Sequence, residues 1–287
     1  MNFAKYNSCG NDFIIIDNSH ELFSVDKKDG EEYFQYIQAL CDRTHGIGSG
    51  LREDVKISGN IAEHRVGADG LILIKPYKDV IYFMSYFNSN GYLSSFCGNG
   101  SMCAAHFAVF SGFCGKQSIG QGDFKTREGI FSFSSDINTG KTKISMIDVL
   151  NFFILDEGIL INTGSPHYVI FKSDISNLDV SKEGRGIRYS KPFTKYGVNV
   201  TFACFSNNIL SIRTYERGVE SETLSCGTGA VAAALCASIK QLILVDYIKV
   251  HTKGGVLDVG FKRKNRFFTD IFLESVIYRD YTGKFAS

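Results

Sequence analysis

Two short segments of the chain have the residue types of an acid–base site built on thiols. They read Cys97-Gly-Asn-Gly100 and Cys226-Gly-Thr-Gly229, and each opens an alanine-rich apolar stretch that is typical of a buried helix. A cysteine at a helix N-terminus lies in the positive field of the helix dipole, which favours the thiolate. The glycines leave backbone N–H groups accessible to an anion. Each segment could therefore hold a carboxylate and present a sulfur beside it.

The second segment repeats the first at a distance that suits a second domain. It lies 129 residues further along, and both copies follow a strand-like run with an aromatic end, Phe87 or Tyr215, and a glycine turn. A chance match rarely recurs with the same flanks, so the repeat predicts two similar domains with one cysteine each. Two such thiols would suit reversible proton transfer at a carbon beside a carboxylate, since one removes a proton and the other returns one to the opposite face. The helix N–H groups would stabilise the charge that develops on the carboxylate.

The remaining cysteines carry no recognisable site pattern. The chain has no Cys-x-x-Cys pair and no histidine cluster with zinc spacing, so we predict no metal. The stretch Gly46–Gly50 is glycine-rich but lacks the preceding strand of a dinucleotide site. We interpret six cysteines as small packing residues: Cys9, Cys41, Cys103, Cys114, Cys204 and Cys236.

Composition places the chain among ordinary globular proteins. Its 287 residues correspond to about two domains. The formal charge of +1 argues against a basic nucleic-acid-binding protein, and 44% hydrophobic with 21% charged residues argues against disorder. The first apolar run, Phe13–Ile16, is too short for a signal peptide, and no run approaches the 18 residues of a membrane span. We therefore expect a cytoplasmic protein with no nucleic-acid or membrane partner.

Hydrophobic periodicity predicts three helices among many strands. The helices are expected at Glu31–Leu40, Met102–Phe110 and Ala230–Ile239, and a loop is expected from Gly46 to Asn60. Strands are predicted at Phe13–Ile16, Leu71–Ile74, Val80–Phe87, Ile130–Phe133, Lys143–Met146, Tyr168–Phe171, Val198–Phe205, Ile209–Tyr215, Val245–Val250, Val256–Phe261 and Phe267–Glu274.

Further ordered motifs surround the two cysteine segments. They are Ser8-Cys-Gly-Asn-Asp-Phe13, Cys41-Asp-Arg43, Val66-Gly-Ala-Asp-Gly-Leu71, Phe87-Asn-Ser-Asn-Gly91, Thr163-Gly-Ser-Pro-His167, Gly197-Val-Asn-Val200, Tyr215-Glu-Arg-Gly218 and Glu222-Thr-Leu-Ser225. Over nearly the whole chain this set resembles the motifs of the diaminopimelate epimerases, cofactor-independent isomerases of lysine and peptidoglycan-precursor biosynthesis.

The resemblance implies an α+β fold of two pseudo-symmetric domains, each a mixed sheet wrapped around a central helix. The N-terminal domain would comprise residues 1–140 plus about 272–287, and the C-terminal domain residues 141–271. The terminal strand would thus return to the first domain. A homodimer is also implied.

The resemblance further implies epimerisation of LL-diaminopimelate to meso-diaminopimelate without pyridoxal phosphate, with Cys97 and Cys226 as the acid–base pair. Arg217 would bind the distal carboxylate and Glu216 an ammonium group, which suits a substrate with two amino-acid ends. The implied substrate-binding residues are Asn11, Asn88, Gly98, Asn99, Asn199, Glu216, Arg217, Gly227 and Thr228, with Ser165 and His167 in supporting roles.

Two departures from the family pattern stand out. Ser165 occupies a position where the family commonly has Asn, and about twenty residues, Thr44–His64, separate two motifs that are normally almost contiguous. The segment is charged and polar enough for a surface loop, and long loops cost little additional entropy. A partner-binding segment or one that flanks the active site is the alternative.

Other classes remain as alternatives. The related proline and hydroxyproline racemases have histidine at the position of Asn99, and the phenazine-biosynthesis isomerases lack the cysteine pair. A non-catalytic binding protein or a thiol redox protein is a further alternative, and the latter would need a disulfide in its normal cycle.

Overall fold

A computed structural model describes residues 2–21, 23, 30–49, 55–58, 65–94 and 96–285. It contains four helices, α1 (Gly30–Cys41), α2 (Gly98–Phe110), α3 (Val180–Arg188) and α4 (Gly227–Ile239), within the described part of the chain. The strands are β1 (Asn2–Ser8), β2 (Asn11–Asp17), β3 (Val55–Ser58), β4 (Gly70–Tyr77), β5 (Val80–Asn88), β6 (Ile119–Lys125), β7 (Ile130–Asp136), β8 (Lys141–Ser145), β9 (Phe152–Ile154), β10 (Ile159–Asn162), β11 (Pro166–Phe171), β12 (Asn199–Ser206), β13 (Ile209–Glu216), β14 (Ser221–Thr223), β15 (Tyr247–Thr252), β16 (Gly255–Lys264), β17 (Phe267–Val276) and β18 (Tyr278–Phe285).

The chain divides into two compact units. The first unit contains Met1–Lys143 and Val276–Ser287, and the second contains Ile144–Ser275. The family resemblance implies boundaries a few residues earlier, after residue 140 and near residue 272. The observed boundaries lie within strands β8 and β17, so no loop or change of composition marks them in the sequence.

The first unit is a mixed sheet around α2. Strand β1 is antiparallel to β2, β2 is parallel to β4, β4 is antiparallel to β5, β5 is parallel to β6, and β6 is antiparallel to β7. The isoleucines of β2 are buried on both faces of the sheet, as their uninterrupted apolar run predicts. Helix α2 contacts several of these strands, and every residue from Gly98 to Val109 is buried. An apolar helix of this kind is stable only inside a core.

The second unit repeats this order of pairings around α4. Strand β10 is antiparallel to β11, β11 is parallel to β12, β12 is antiparallel to β13, β13 is parallel to β15, and β15 is antiparallel to β16. Every residue of α4 from Gly227 to Ser238 is buried. The predicted α+β fold, with two similar sheets each wrapped around a helix, is therefore confirmed.

The ends of the chain meet in the first unit. Strand β18 pairs antiparallel with β1 within the first unit. On its other side, β18 pairs with β3, a strand within the stretch from Gly46 to Asn60 that the sequence predicts as a loop. That prediction is wrong for Val55–Ser58, where a four-residue segment gains its strand structure by pairing with the edge of β18. Residues 50–54 and 59–64 lie outside the described residues.

Helix predictions agree with the structure where apolar residues are periodic or continuous, as in α1, α2 and α4. The polar helix α3 and the strands β1, β6, β9, β10 and β14 were not predicted, and a terminal strand such as β18 was implied only by the resemblance. None of the helices in the described ranges is both long and apolar enough to cross a bilayer.

The prediction of six packing cysteines holds for Cys9, Cys41, Cys103 and Cys236, which are buried. Cys114 and Cys204 are partly exposed, and Cys204 still packs against the core of the second unit. Cys114 follows the end of α2, and Cys204 lies near the end of β12, where the strand extends beyond the buried core.

Candidate active site

Cys97 forms the N-cap of α2. Its backbone is extended, with φ −120° and ψ 114°, and its Sγ accepts a hydrogen bond from the N–H of Gly100 at 3.4 Å. The first N–H groups of a helix have no acceptor within the helix, so those of Gly98 and Asn99 are placed to bind an anion. The N-terminus of α2 can therefore stabilise negative charge both on the half-buried sulfur and on a bound carboxylate.

Cys226 forms the N-cap of α4 in nearly the same conformation, with φ −133° and ψ 109°. Its side chain is buried, and its Sγ lies 3.5 Å from Thr228 Oγ1. The carbonyl of Thr228 accepts a hydrogen bond from Thr163 Oγ1 at 2.8 Å, which ties the start of α4 to the end of β10. The first turn of α4 thus presents the same backbone N–H groups as α2, those of Gly227 and Thr228.

The second glycine of each motif allows the helix to start close to the sheet. A Cβ at Gly100 would lie 3.1 Å from Ile72 Cδ1, and a Cβ at Gly229 would lie 3.1 Å from Thr214 Oγ1 and 3.2 Å from His167 Cε1. These neighbours belong to the strands beneath the helix. A side chain at either position would push these neighbours aside by a few tenths of an ångström, so the close packing of helix against sheet favours glycine.

His167 supports the start of α4 from within the second unit. It is completely buried, with Nε2 2.9 Å from Thr228 Oγ1 and Nδ1 3.0 Å from Thr201 Oγ1. Burial, assisted by the positive charge of Arg217, lowers its pKa to about 3. The imidazole is therefore neutral at pH 7.

The neutral imidazole has one donor and one acceptor nitrogen. Its Nε2 faces the Thr228 hydroxyl and its Nδ1 faces the Thr201 hydroxyl, so one hydroxyl donates to the ring and the other accepts from it. The Thr228 hydroxyl also lies 3.5 Å from the Cys226 sulfur. Cys226, Thr228, His167 and Thr201 thus form one chain of hydrogen-bonding groups.

Asn199 connects the other predicted residues of the second unit. It stands opposite His167 in the parallel pairing of β11 with β12. Its Nδ2 donates to Ser165 Oγ at 2.8 Å, and its Oδ1 accepts from the backbone N–H of Arg217 at 2.8 Å. Glu216, which precedes Arg217, accepts from Thr223 Oγ1 at 2.5 Å. Ser165 can therefore position Asn199 although it is shorter than asparagine.

In the first unit, Asn99 is held by Asn11. Asn99 Nδ2 donates to Asn11 Oδ1 at 2.5 Å, and Asn11 Nδ2 donates to Asp69 Oδ2 at 3.2 Å. Asn88 lies at the end of β5 opposite Gly70 and is half-buried. Its backbone carbonyl accepts from Gly91, so the turn predicted after this strand is present.

Several groups around the site were not assigned a role from the sequence. Asp69 and Arg43 lie in two of the ordered motifs, but the sequence alone does not show which residues they contact. Asp12 contacts both of these residues and Lys5 contacts Asp12, and Thr163 and Thr201 contact the second half-site. In the described ranges, no group of three or more His, Cys, Asp or Glu residues is arranged to hold a metal ion.

Comparison with solved structures defines the class of fold. The chain is similar to a phenazine biosynthesis protein of the PhzF family from Bacillus anthracis, at 11% identity with a TM-score of 0.70, covering 98% of this chain and 97% of that one. It is also similar to a hydroxyproline epimerase from Agrobacterium vitis, at 12% identity with a TM-score of 0.68, covering 99% and 92% of the two chains. The chain therefore has the fold that these PhzF-family and hydroxyproline epimerase structures share.

Sequence relatives narrow this class to one family. The family model for diaminopimelate epimerase matches residues 159–270. The diaminopimelate epimerases of Flavobacterium psychrophilum and Aquifex aeolicus are 37% and 34% identical to this chain, covering 96% and 99% of it and 96% and 97% of their own lengths. The chain belongs to the diaminopimelate epimerase family and is an isomerase, as its motifs predicted.

Proposed function

We propose that the protein interconverts LL-diaminopimelate and meso-diaminopimelate without a cofactor, with Cys97 and Cys226 as acid and base. The observation that carries this proposal is the pair of matched helix N-termini. Each has an extended N-capping cysteine followed by backbone N–H groups that no helical carbonyl accepts. Two equivalent thiols can exchange the roles of acid and base, as an epimerase needs in its two directions.

The reaction would proceed by transfer of one proton on each face of the α-carbon. The thiolate of one cysteine takes the α-proton, and the electron pair of the broken C–H bond moves toward the carboxylate. The N–H groups of Gly98, Asn99, Gly227 and Thr228 stabilise the charge that develops there. The thiol of the other cysteine then donates its proton to the opposite face, which inverts the centre and leaves that sulfur as the thiolate.

The remaining predicted residues would bind and position the substrate. The Arg217 guanidinium suits the distal carboxylate, and Glu216 suits an ammonium group. Asn11, Asn88 and Asn199 would supply amide contacts. Ser165 would act by positioning Asn199, and His167 by orienting the Thr228 hydroxyl beside the Cys226 sulfur.

We further propose that the enzyme works in the cytoplasm as a homodimer, on the route to lysine and peptidoglycan precursors. Membership of the family supports this setting. Its substrate would be a small molecule with both charge signs, which agrees with a formal net charge near zero on the protein.

The decisive experiment is deuterium incorporation at the α-carbon in D₂O, with several amino acids offered separately. We expect exchange with the LL and meso isomers of diaminopimelate and none with proline or hydroxyproline. Early in the reaction, deuterium should enter the product rather than the remaining substrate, because different sulfur atoms remove and deliver the proton. Exchange with proline but not with diaminopimelate would refute the proposed substrate.

Oxidation provides a second test of the cysteine pair. If both thiols reach one small substrate, mild oxidation should join Cys97 to Cys226 and stop the reaction, and a reductant should restore it. A peptide map of the oxidised protein should contain the corresponding linked peptide. Full activity after oxidation, or a map without this link, would contradict the two-thiol arrangement.

A further inference from the structure

A buried cluster of charges lies behind the N-terminal half-site. Asp12 is almost completely buried, and its carboxylate accepts from Arg43 at 2.8 and 2.6 Å and from Lys5 at 2.8 Å. Burial alone would raise the pKa of Asp12, but Arg43 and Lys5 hold it at about 2. Lys5 is itself completely buried and also donates to the carbonyls of Arg65 and Gly67. Buried ion pairs seldom stabilise a fold more than apolar residues would, so the cluster calls for another explanation.

Asp69 connects this cluster to the half-site. One of its oxygens, Oδ1, contacts Arg43. The other, Oδ2, accepts from the backbone N–H of Asp12 at 3.1 Å and from Asn11 Nδ2 at 3.2 Å. Burial and the charge of Asp12 raise the pKa of Asp69, whereas Arg43 lowers it. Arg43, the backbone N–H of Asp12 and the Asn11 amide together favour the ionised, acceptor-only form of this carboxyl, against the net rise of its pKa.

The ionised carboxylate fixes the orientation of the Asn11 amide. Because Asp69 can only accept, the nitrogen of Asn11 must face it, and the oxygen of Asn11 must face the other way. That oxygen lies 2.5 Å from Asn99 Nδ2. Asn99 is the second residue of α2, directly after Gly98 and two positions after Cys97. A side-chain path of three hydrogen bonds thus runs from Arg43 to the first turn of the helix.

We propose that Asp69, held by Arg43, is a positioning residue that sets the Asn11–Asn99 hydrogen bond and, through it, the first turn of α2 and the environment of Cys97. Its consequence for catalysis rests on the function proposed above. The link between Asp69 and the Cys97 sulfur is independent of that function, because thiol reactivity can be measured without a substrate.

The test variant is Asp69→Asn, which keeps the shape of the side chain and removes its charge. If the new amide nitrogen takes the place of Oδ1, it meets Arg43, and if it takes the place of Oδ2, it meets Asn11 and the N–H of Asp12. Either arrangement brings two donors together. The Asn11–Asn99 contact should therefore be weakened or its amide reversed.

The measurement is the rate at which iodoacetamide alkylates each cysteine, resolved by peptide mass spectrometry. In Asp69→Asn we expect the rate at Cys97 to change at least threefold, while the rates at Cys226 and at the partly exposed Cys204 stay within experimental error. The matched control is Glu21→Gln, which removes one carboxylate from the exposed Glu21–Lys75 pair of the same unit and should change no rate. An unchanged Cys97 rate, or equal changes at all three cysteines, would overturn the proposal.

Two further variants control for a folding defect and test the hydrogen-bond path from Arg43 to Asn99. Arg43→Lys keeps the positive charge but loses the guanidinium fork, so it should change the Cys97 rate in the same direction as Asp69→Asn. In an Asn11→Ala background, Asp69→Asn should have no further effect on Cys97, because its only route is already removed. Full additivity of the two substitutions would contradict the proposed path.

Steady-state kinetics then separate positioning from a purely structural role. Asp69→Asn should lower kcat for diaminopimelate about tenfold and change KM less, because the first turn of α2 supports the reacting carboxylate in the transition state. If the native enzyme has no epimerase activity, the proposed function fails and the alkylation result still decides the role of Asp69. An unchanged kcat together with an altered Cys97 rate would restrict Asp69 to a structural role and overturn the positioning proposal.

Discussion

The starts of α2 and α4 have the same backbone and different supports. Both N-capping cysteines are extended, with φ values of −120° and −133°. Behind α2, Asn99 contacts Asn11, and Asn11 in turn contacts the carboxyl group of Asp69. Behind α4, Thr228 contacts the neutral His167. The repeat thus keeps the helix start, which would bind a carboxylate, and changes the side chains that hold it in place.

This difference has physical consequences. Charged groups in a low-dielectric interior interact strongly and are costly when a partner is removed. A hydrogen bond between neutral groups such as a hydroxyl and an imidazole contributes about 1 kcal/mol to the stability of the fold. The two supports should therefore respond differently to substitution and to pH, whereas the two cysteines should respond alike.

The largest effect is expected from the cysteines themselves. Cys97→Ala and Cys226→Ala should each lower the rate of diaminopimelate epimerisation by at least about 10²–10⁴-fold, the range of a lost acid or base. The rate can be followed by NMR or by chiral chromatography, with circular dichroism as the control for folding. A variant that retains near-native epimerisation would show that the two halves are not equivalent.

Next in size is the loss of a buried charge from the first unit. Lys5→Met removes an ammonium that neutralises Asp12, and both groups are almost completely buried. The free energy of unfolding should fall by about 3–5 kcal/mol, because Asp12 loses a partner inside the core. Chemical denaturation measures this change. The matched control, Lys249→Met, breaks an exposed pair with Asp258 and should cost about 1 kcal/mol or less.

If Lys5→Met and Lys249→Met lower the free energy of unfolding equally, the buried ammonium of Lys5 is no more important to stability than that of Lys249.

The third prediction concerns pH and the second unit. The folded protein lowers the pKa of His167 from its ordinary value of about 6.5 to about 3. Between these values the unfolded state binds a proton that the folded state does not, so stability should fall as pH decreases from about 6.5 toward 3. One such histidine contributes at most about 1.4 kcal/mol per pH unit.

The matched variant for this prediction is His167→Gln, studied by chemical denaturation at several pH values. The substitution should reduce the slope of the free energy of unfolding against pH by up to about 1.4 kcal/mol per pH unit. His106, whose pKa burial lowers to about 4, contributes in the same direction and remains in both proteins. An identical slope in variant and native protein would show that His167 is not buried in its neutral form.

The smallest effect is expected at Thr228. Thr228→Val removes the hydroxyl between Cys226 and His167 and should lower stability by about 1 kcal/mol. Thr228→Ser keeps the hydroxyl and serves as the control. A thermal melt should separate the two variants, and equal melting temperatures would exclude a contribution from this hydrogen bond.

The sequence predicted the parts of each half-site whose geometry is local. A cysteine followed by glycines before an alanine-rich run sufficed to place Cys97 and Cys226 at helix starts. The contact between Ser165 and Asn199 was not predictable, because the two residues lie 34 positions apart, with β11 and α3 between them. Lys5 was overlooked for a similar reason, since its partners Asp12, Arg65 and Gly67 lie elsewhere in the chain.

The sequence by itself therefore determined the family, the fold class, the repeat and the two candidate cysteines, since short-range patterns and ordered motifs are sufficient for these. Only the tertiary structure showed that one half-site is backed by charges and the other by neutral hydrogen-bonding groups. Parallel pairing of β2 with β4 brings Asp12 near Asp69, and pairing of β11 with β12 sets His167 opposite Asn199. The physical reason is that such partners are distant in sequence, and only the register of the sheet brings them within hydrogen-bonding distance.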